Sequence, residues 1–150
     1  MATPKRSTEP ASIVLRRRIE WIDTDAAGIY HWTTVLRLAE AAEAALHTAL
    51  GIAEHTFGAT PRLGVTLDFR RALRFNDPVQ LELRVAELGR SSIRYSLALS
   101  GPDGLAAEGS FTACLVDRDS KRATPWPDEI RELLTSAGPQ SPDQWTSSPS

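Results

Sequence analysis

Trp21-Ile22-Asp23-Thr24-Asp25-Ala26-Ala27-Gly28-Ile29-Tyr30-His31-Trp32 runs directly into a helical pattern, and the reading of this junction decides the fold. Two carboxylates, a glycine and a histidine sit where a strand hands over to a helix. Across residues 33–50 the side chains of Val35, Leu38, Ala39, Ala42, Leu46, Ala49 and Leu50 follow the i, i+3, i+4, i+7 spacing of one helix face. Arg37, Glu40, Glu43 and His47 are assigned to the other face. The alanines favour helix and let a neighbouring backbone come close, while Gly51 suits a left-handed stop. On spacing alone the two aspartates stay ambiguous. Asp commonly caps helices and closes turns by accepting backbone N–H groups, and a carboxylate in such a place is equally equipped for acid–base or nucleophilic work.

Before the loop, Ile13-Val14-Leu15, three arginines and Ile19-Glu20-Trp21-Ile22 read as a first strand. After the helix an irregular segment reaches Thr60-Pro61, and the period then changes to two. Leu63, Val65, Leu67 and Phe69 form one apolar face; Val79, Leu81, Leu83 and Val85 a second; Ile93, Tyr95, Leu97 and Leu99 a third; Ala107, Gly109, Phe111, Ala113 and Leu115 a fourth. Asn76-Asp77-Pro78, Gly89-Arg90-Ser91 and Gly101-Pro102-Asp103-Gly104 supply turn chemistry between them, which implies antiparallel hairpins. A last helix is expected near Pro127-Asp128-Glu129. The expected class is therefore α+β, in the order β-α-β-β-β-β plus a short C-terminal helix, with one long antiparallel sheet wrapped on a central helix. One helix covers only part of such a sheet. Apolar strand surface is left for a second copy, so a homodimer or a dimer of dimers is expected.

A chain of 150 residues fits one domain with a real core. A net charge of -2 gives none of the basicity that phosphate-backbone binding relies on, so nucleic acid is not an expected partner. Cys114 is the single cysteine and allows no intrachain disulfide; in its strand-like setting it reads as packing. With no secretory signal and no apolar run of membrane length, a cytoplasmic protein without a membrane partner is expected. The expected division places one domain at residues 12–136, an N-terminal disordered tail at 1–11 and a Pro- and Ser-rich disordered tail at 137–150. The second tail has too few apolar residues to offset the entropy of ordering, and Trp145 is the one residue in it able to dock.

Asp23-Thr24-Asp25-Ala26-Ala27-Gly28-Ile29-Tyr30-His31 resembles the signature loop of the hotdog-fold 4-hydroxybenzoyl-CoA thioesterase family: Asp-x-Asp-x-x-Gly, an aromatic-His or aromatic-aromatic step, then the long helix. Gly58-Ala59-Thr60-Pro61, Asn76-Asp77-Pro78 and Gly89-Arg90-Ser91-Ser92 resemble family features in the same order, so the resemblance covers the chain apart from its two tails. It implies a hydrolase that releases a carboxylic acid from a thioester of coenzyme A or acyl carrier protein, with no cofactor and no metal. Asp25 corresponds to the catalytic carboxylate, which attacks the carbonyl or activates water; both routes stay open. The backbone amide of Trp32 corresponds to the family's carbonyl-polarising donor, in a helix turn with unpaired N–H groups. Such a donor commonly contributes roughly 3 kcal/mol.

Other roles follow from the same resemblance. Gly28 fits a tight turn beside substrate. His31 either orients water or protonates the leaving sulfur, since an imidazole titrates near neutrality, or simply bonds at the helix start. Tyr30 and Trp32 line the acyl pocket or the core. Thr33 and Thr34 stand where the family usually has asparagine and tyrosine; Thr33 is suited to capping, and Thr34 implies a roomier acyl pocket. Thr60 belongs to a matching segment expected at the substrate. Arg90, Ser91 and Ser92 match the turn that meets the pantetheine and phosphates of coenzyme A. Asp23 is expected to brace the loop. Arg70, Arg71 and Arg74, with Arg16-Arg17-Arg18, are ordinary candidates for solvated faces that would also steer an acidic carrier protein.

Competing chemistries fit less well. A calcium loop would need an oxygen ligand at Ala27 and a glutamate at Thr34. A phosphotransferase loop would follow a parallel strand in a βαβ alternation that this chain lacks. On the same fold, a non-hydrolytic acyl-thioester sensor has no need of Asp25, and a hydratase or dehydratase uses a histidine–acid pair placed differently. Asp25 favours hydrolysis over both.

Overall fold

The period-two segments form strands because each buries one face. In the computed structural model, which describes residues 9–142, the elements are β1 (Ser12–Arg18), a 3-10 turn (Trp21–Asp23), α1 (Thr34–Leu50), α2 (Ala53–Thr56), β2 (Arg62–Phe69), β3 (Pro78–Leu88), β4 (Ser92–Gly101), β5 (Gly104–Cys114), α3 (Asp128–Ser136) and β6 (Pro139–Gln140). The sheet order is β2-β5-β4-β3-β1-β6. All pairings are antiparallel except β1 with β6. Val79, Leu81, Leu83 and Val85 of β3, with Ile93, Tyr95, Leu97 and Leu99 of β4, bury the inner face under Val35, Leu38, Ala39, Ala42 and Leu46 of α1. Gly51 ends α1 at φ 75°, its N–H reaching the carbonyls of His47 and Thr48. The α+β layout with one long helix on an antiparallel sheet is the one expected.

Several local expectations change. β1 stops at Arg18 instead of running to Ile22, because its last partner is Pro78, at the first position of β3. The chain then turns, with the Glu20 N–H bonded to Asp23 Oδ2 at 2.8 Å. Thr33 places no side-chain cap on α1, and the segment before Thr60 contains the short α2. Glu43 and His47, assigned to the solvent face, are buried, because α1 presents a second row, 35-39-43-47, to the sheet beside 38-42-46; Ala49, assigned inward, is exposed. At both ends the ordered chain passes the boundaries drawn from composition. Ala11 is buried and donates to the Leu134 carbonyl at 3.0 Å, and Pro139–Gln140 pairs with β1. Residues 1–8 and 143–150 of the two tails, with Trp145, lie outside the described residues.

β2 departs most from the simple picture. It is an edge strand paired only with β5, and its apolar face is left open: Leu63 is 64% exposed, Val65 52% and Phe69 46%. Among the described residues no helix is long and apolar enough to cross a membrane.

Candidate active site

Asp23 holds the loop together. Its carboxylate is buried and accepts the Glu20 N–H at 2.8 Å and the Arg37 guanidinium, Nε to Oδ1 at 3.0 Å and Nη2 to Oδ1 and Oδ2 at 2.7 and 2.8 Å. Its carbonyl accepts the His31 N–H at 2.5 Å and the Thr34 hydroxyl at 3.1 Å. One residue thereby ties the 3-10 turn, the returning loop and the first turn of α1. Thr34 is buried and commits its hydroxyl to this brace, so it does not line the cavity described next.

Asp25 is exposed and lightly used. Its Oδ1 accepts the Ala27 N–H at 2.8 Å and its carbonyl accepts the Gly28 N–H at 3.0 Å, closing a turn that requires the positive φ of 80° at Gly28. Among the described residues nothing donates to Asp25 Oδ2. At the helix start the Thr33 and Thr34 N–H groups reach His31 Nδ1 and the His31 carbonyl, at 3.2 and 2.9 Å. The Trp32 N–H finds no acceptor among the described residues.

Asp25 and Trp32 line one cavity of about 410 Å³ with Ile29, Tyr30, Phe69, Arg70, Arg71 and Ala72. Its walls are mainly aromatic and aliphatic. Tyr30 packs on Phe69 at 6.3 Å between ring centroids and donates its N–H to the Leu73 carbonyl at 2.7 Å. The Tyr30 hydroxyl is buried without a partner among the described residues, and burial pushes its pKa up. His31 stands outside the lining, stacked on Trp32 at 6.0 Å, with Nδ1 bonded to the Thr33 hydroxyl at 2.7 Å. A carboxylate with a free oxygen and an unpaired helix-start N–H, facing an apolar cavity, can hold a carbonyl between an attacking group and a donor.

A family model for the thioesterase-like superfamily matches residues 19–134. The chain belongs to this superfamily. A 1,4-dihydroxy-2-naphthoyl-CoA hydrolase of Synechococcus elongatus is 25% identical over 130 residues, covering 83% of this chain and 96% of the relative. Two solved structures share the fold. The 1,4-dihydroxy-2-naphthoyl-CoA thioesterase of Synechocystis superposes with a TM-score of 0.74 at 15% identity, covering 82% of this chain and 95% of that one. A thioesterase of Thermus thermophilus, complexed with coenzyme A and Zn, gives 0.74 at 23% identity, covering 81% and 90%. The hotdog arrangement expected from the loop is thus the fold observed.

In this thioesterase-like chain the expected carrier-binding residues lie far from Asp25. Arg90, Ser91 and Ser92 form the β3–β4 turn, whereas Phe69 and the Asp25 cavity lie at the end where β4 turns into β5. Nine residue steps of β4 separate the two ends, roughly 30 Å. The turn is clamped from outside. Trp126 donates its N–H to the Arg90 carbonyl at 3.0 Å and its Nε1–H to the Ser92 carbonyl at 3.1 Å; Arg131 donates to the Gly89 and Arg90 carbonyls at 2.7 and 3.3 Å. Neither clamp residue belongs to a pattern that the sequence alone singles out. Thr60 is at the Arg90 end too, lining a cavity of about 650 Å³ with Glu40, Glu43, Phe57, Arg62 and Lys121. Through Glu40 and Arg62 this opens to an apolar gap of about 330 Å³ between α1 and β2, walled by Leu36, Ala39, Leu63, Val65 and Phe111.

Beneath these cavities the buried polar groups of α1 are all paired. Glu43 accepts Arg62 through both oxygens, at 2.8 and 2.5 Å, and the guanidinium lies 5.0 Å over the Phe111 ring. Glu43 also holds the Arg62 pKa up. His47 Nε2 meets the Tyr95 hydroxyl at 2.5 Å and Nδ1 the Thr56 hydroxyl at 2.6 Å. Thr56 donates onward to the Ile52 carbonyl, so His47 Nδ1 carries the proton and Nε2 accepts from Tyr95. Burial lowers the His47 pKa to about 4, and burial also pushes that of Tyr95 well up. The sequence did hold a signal for this cluster: Tyr95 is the one hydroxyl in the inward row of β4, and a buried tyrosine needs a partner. Among the described residues no group of His, Cys, Asp or Glu side chains is placed to hold a metal ion.

Proposed function

We propose that this protein hydrolyses an aromatic acyl thioester of coenzyme A to the free acid and the thiol. The observation that carries the reading is the meeting of Asp25, with Oδ2 free, and the unpaired Trp32 N–H in one aromatic-walled cavity. A cavity of about 410 Å³ suits an aryl acyl group, and the Synechococcus relative is a hydrolase of such a thioester. In this mechanism the Trp32 N–H receives the thioester oxygen as charge develops on it. Asp25 either attacks the carbonyl carbon, forming an anhydride that water cleaves, or takes a proton from the attacking water. The thiolate leaves and is protonated. Gly28 shapes the turn that exposes Asp25, Tyr30 contributes its ring to the wall, and His31 positions the helix start through Thr33.

The separation of Asp25 from Arg90 supports a second copy as part of the enzyme. An exposed edge strand is a template for pairing. Antiparallel pairing of β2 with its twin would set the Thr60 and Arg90 end of one protomer beside the Asp25 cavity of the other, and would cover Leu63 and Val65. The same contact would let Arg90, Ser91 and Ser92 meet the coenzyme A moiety of a thioester whose acyl group lies at the partner subunit's cavity. The reading is tested by thiol release across aroyl- and alkanoyl-CoA thioesters, alongside light scattering. Release favouring aroyl groups, from a dimer or a dimer of dimers, is expected. Binding without release from any substrate would favour the sensor alternative, and full activity in a monomer would remove the shared site.

A further inference from the structure

The β3–β4 turn has its carbonyls tied into the protein and its donors left open. All four carbonyls from Gly89 to Ser92 accept: Gly89 from the Arg131 guanidinium at 2.7 Å, and Arg90 from the Trp126 N–H at 3.0 Å and from Arg131 at 3.3 Å. Ser91 accepts from the Leu115 N–H at 2.7 Å, and Ser92 from the Trp126 indole N–H at 3.1 Å and the Gly89 N–H at 2.9 Å. By contrast, the Arg90 and Ser91 N–H groups find no acceptor among the described residues. The Arg90 side chain is exposed and has no carboxylate partner among them either. Three of the four carbonyls are thus held from α3 and the segment that leads into it. That element is itself fixed. Trp126, Ile130 and Leu134 are buried in the core, and the Leu134 carbonyl accepts the Ala11 N–H at 3.0 Å.

A carbonyl oxygen repels an anion, whereas successive backbone N–H groups attract one. Tying the carbonyls back therefore sets the polarity of the turn as well as its place. We infer that Trp126 and Arg131 are positioning residues: through the carbonyls of the β3–β4 turn they fix Arg90, Ser91 and Ser92 for the phosphate-bearing end of a coenzyme A thioester, and they do not touch the substrate themselves. The inference rests on the thioesterase reading for the ligand of the turn, whereas coenzyme A binding is measurable without turnover. A turn that is ordered before its ligand arrives loses less freedom on binding. Losing the clamp should accordingly weaken affinity for the nucleotide end and spare the bond-breaking step at Asp25.

The test uses the full chain, coenzyme A itself, and one aroyl group carried on coenzyme A or on N-acetylcysteamine, a thiol without the nucleotide and its phosphates. Arg131→Met keeps the aliphatic stem and removes the donors. It should weaken calorimetric binding of coenzyme A about fivefold or more, and raise KM for the coenzyme A thioester as much while kcat stays within about twofold. For the N-acetylcysteamine thioester, kcat/KM should stay within about twofold. Arg131→Lys, which restores one donor group, should fall between. Trp126→Phe loses only the indole N–H and should move in the same direction, with circular dichroism confirming that each variant is folded. An equal loss for both thioesters, the mark of a merely structural role, would overturn the inference. Unchanged coenzyme A binding in Arg131→Met would do the same, as would no binding to the wild type. If the wild type binds coenzyme A and Arg131→Met weakens it, yet neither thioester releases thiol, the positioning role stands and the hydrolase reading falls.

Discussion

The loop end of α1 and the polar cluster under its middle contain the same kinds of groups, used in opposite ways. Around Glu43, Arg62, His47, Tyr95 and Thr56 every buried side-chain polar atom has a partner and the cluster sits beneath the sheet-facing side of the helix. At Asp25 and Trp32 an oxygen and an N–H are left open on a cavity. Asp23 and Asp25 draw the same line within two residues: one is buried under four hydrogen bonds to its carboxylate, the other is exposed and accepts one. Paired groups fix the frame, and unpaired ones leave their hydrogen-bonding capacity open to the cavity. Substitutions in either class test whether that division holds.

The largest stability effect is expected from pH at the paired cluster. His47 has a folded pKa of about 4 against about 6.5 in an unfolded chain, so the unfolded state binds the extra proton between those values. Its contribution is fully present above about 6.5, falls as the pH drops toward 4 and is constant below, about 3 kcal/mol in all. Denaturant titrations from pH 8 to 4 should show this slope, and His47→Leu should flatten it. Asp23→Ala comes next. It frees Arg37 to water and unties the loop, costing about 2 kcal/mol, with thiol release falling in step because the helix start shifts. A variant that loses stability and keeps full activity would separate the brace from the site.

Tyr95→Phe should cost about 1–2 kcal/mol by leaving His47 Nε2 without its donor, with kcat unchanged. The smallest effect is at Tyr30. Its hydroxyl is buried without a partner among the described residues, so Tyr30→Phe should raise stability by about 0.5 kcal/mol and change thiol release less than about twofold. A marked activity loss there would mean that the hydroxyl meets substrate, and the unpaired class would gain a third member.

What the sequence made legible follows the same division. Alternation marked β3, β4 and β5 because the large apolar side chains of their inner faces are buried. It marked β2 equally well, although the apolar face of β2 is open, since periodicity records what a strand offers and not what covers it. Helical periodicity fixed α1 but sent Glu43 and His47 outward, because their partners Arg62 and Tyr95 lie on strands far along the chain and a helix pattern read alone counts charge as exposure. β1 read too long because Ile19, Trp21 and Ile22 are apolar; what stops the strand is the first residue of β3, at Pro78. The Asp23 and Asp25 roles could not be separated by spacing. Arg37, which selects Asp23, arrives from the second turn of α1, fourteen residues away. Arg90 and Asp25 looked like parts of one site because a linear motif carries no measure of the roughly 30 Å between the ends of the sheet.

That the exposed carboxylate of the loop does the chemistry is tested by measuring binding and thiol release on the same samples of wild type and Asp25→Asn with the aroyl-CoA thioester that the wild type cleaves fastest. Asp25→Asn should bind the thioester within about threefold of wild type, melt at the same temperature and release thiol about a hundredfold more slowly or less. Equal rates of thiol release from the two proteins would contradict the assignment of Asp25.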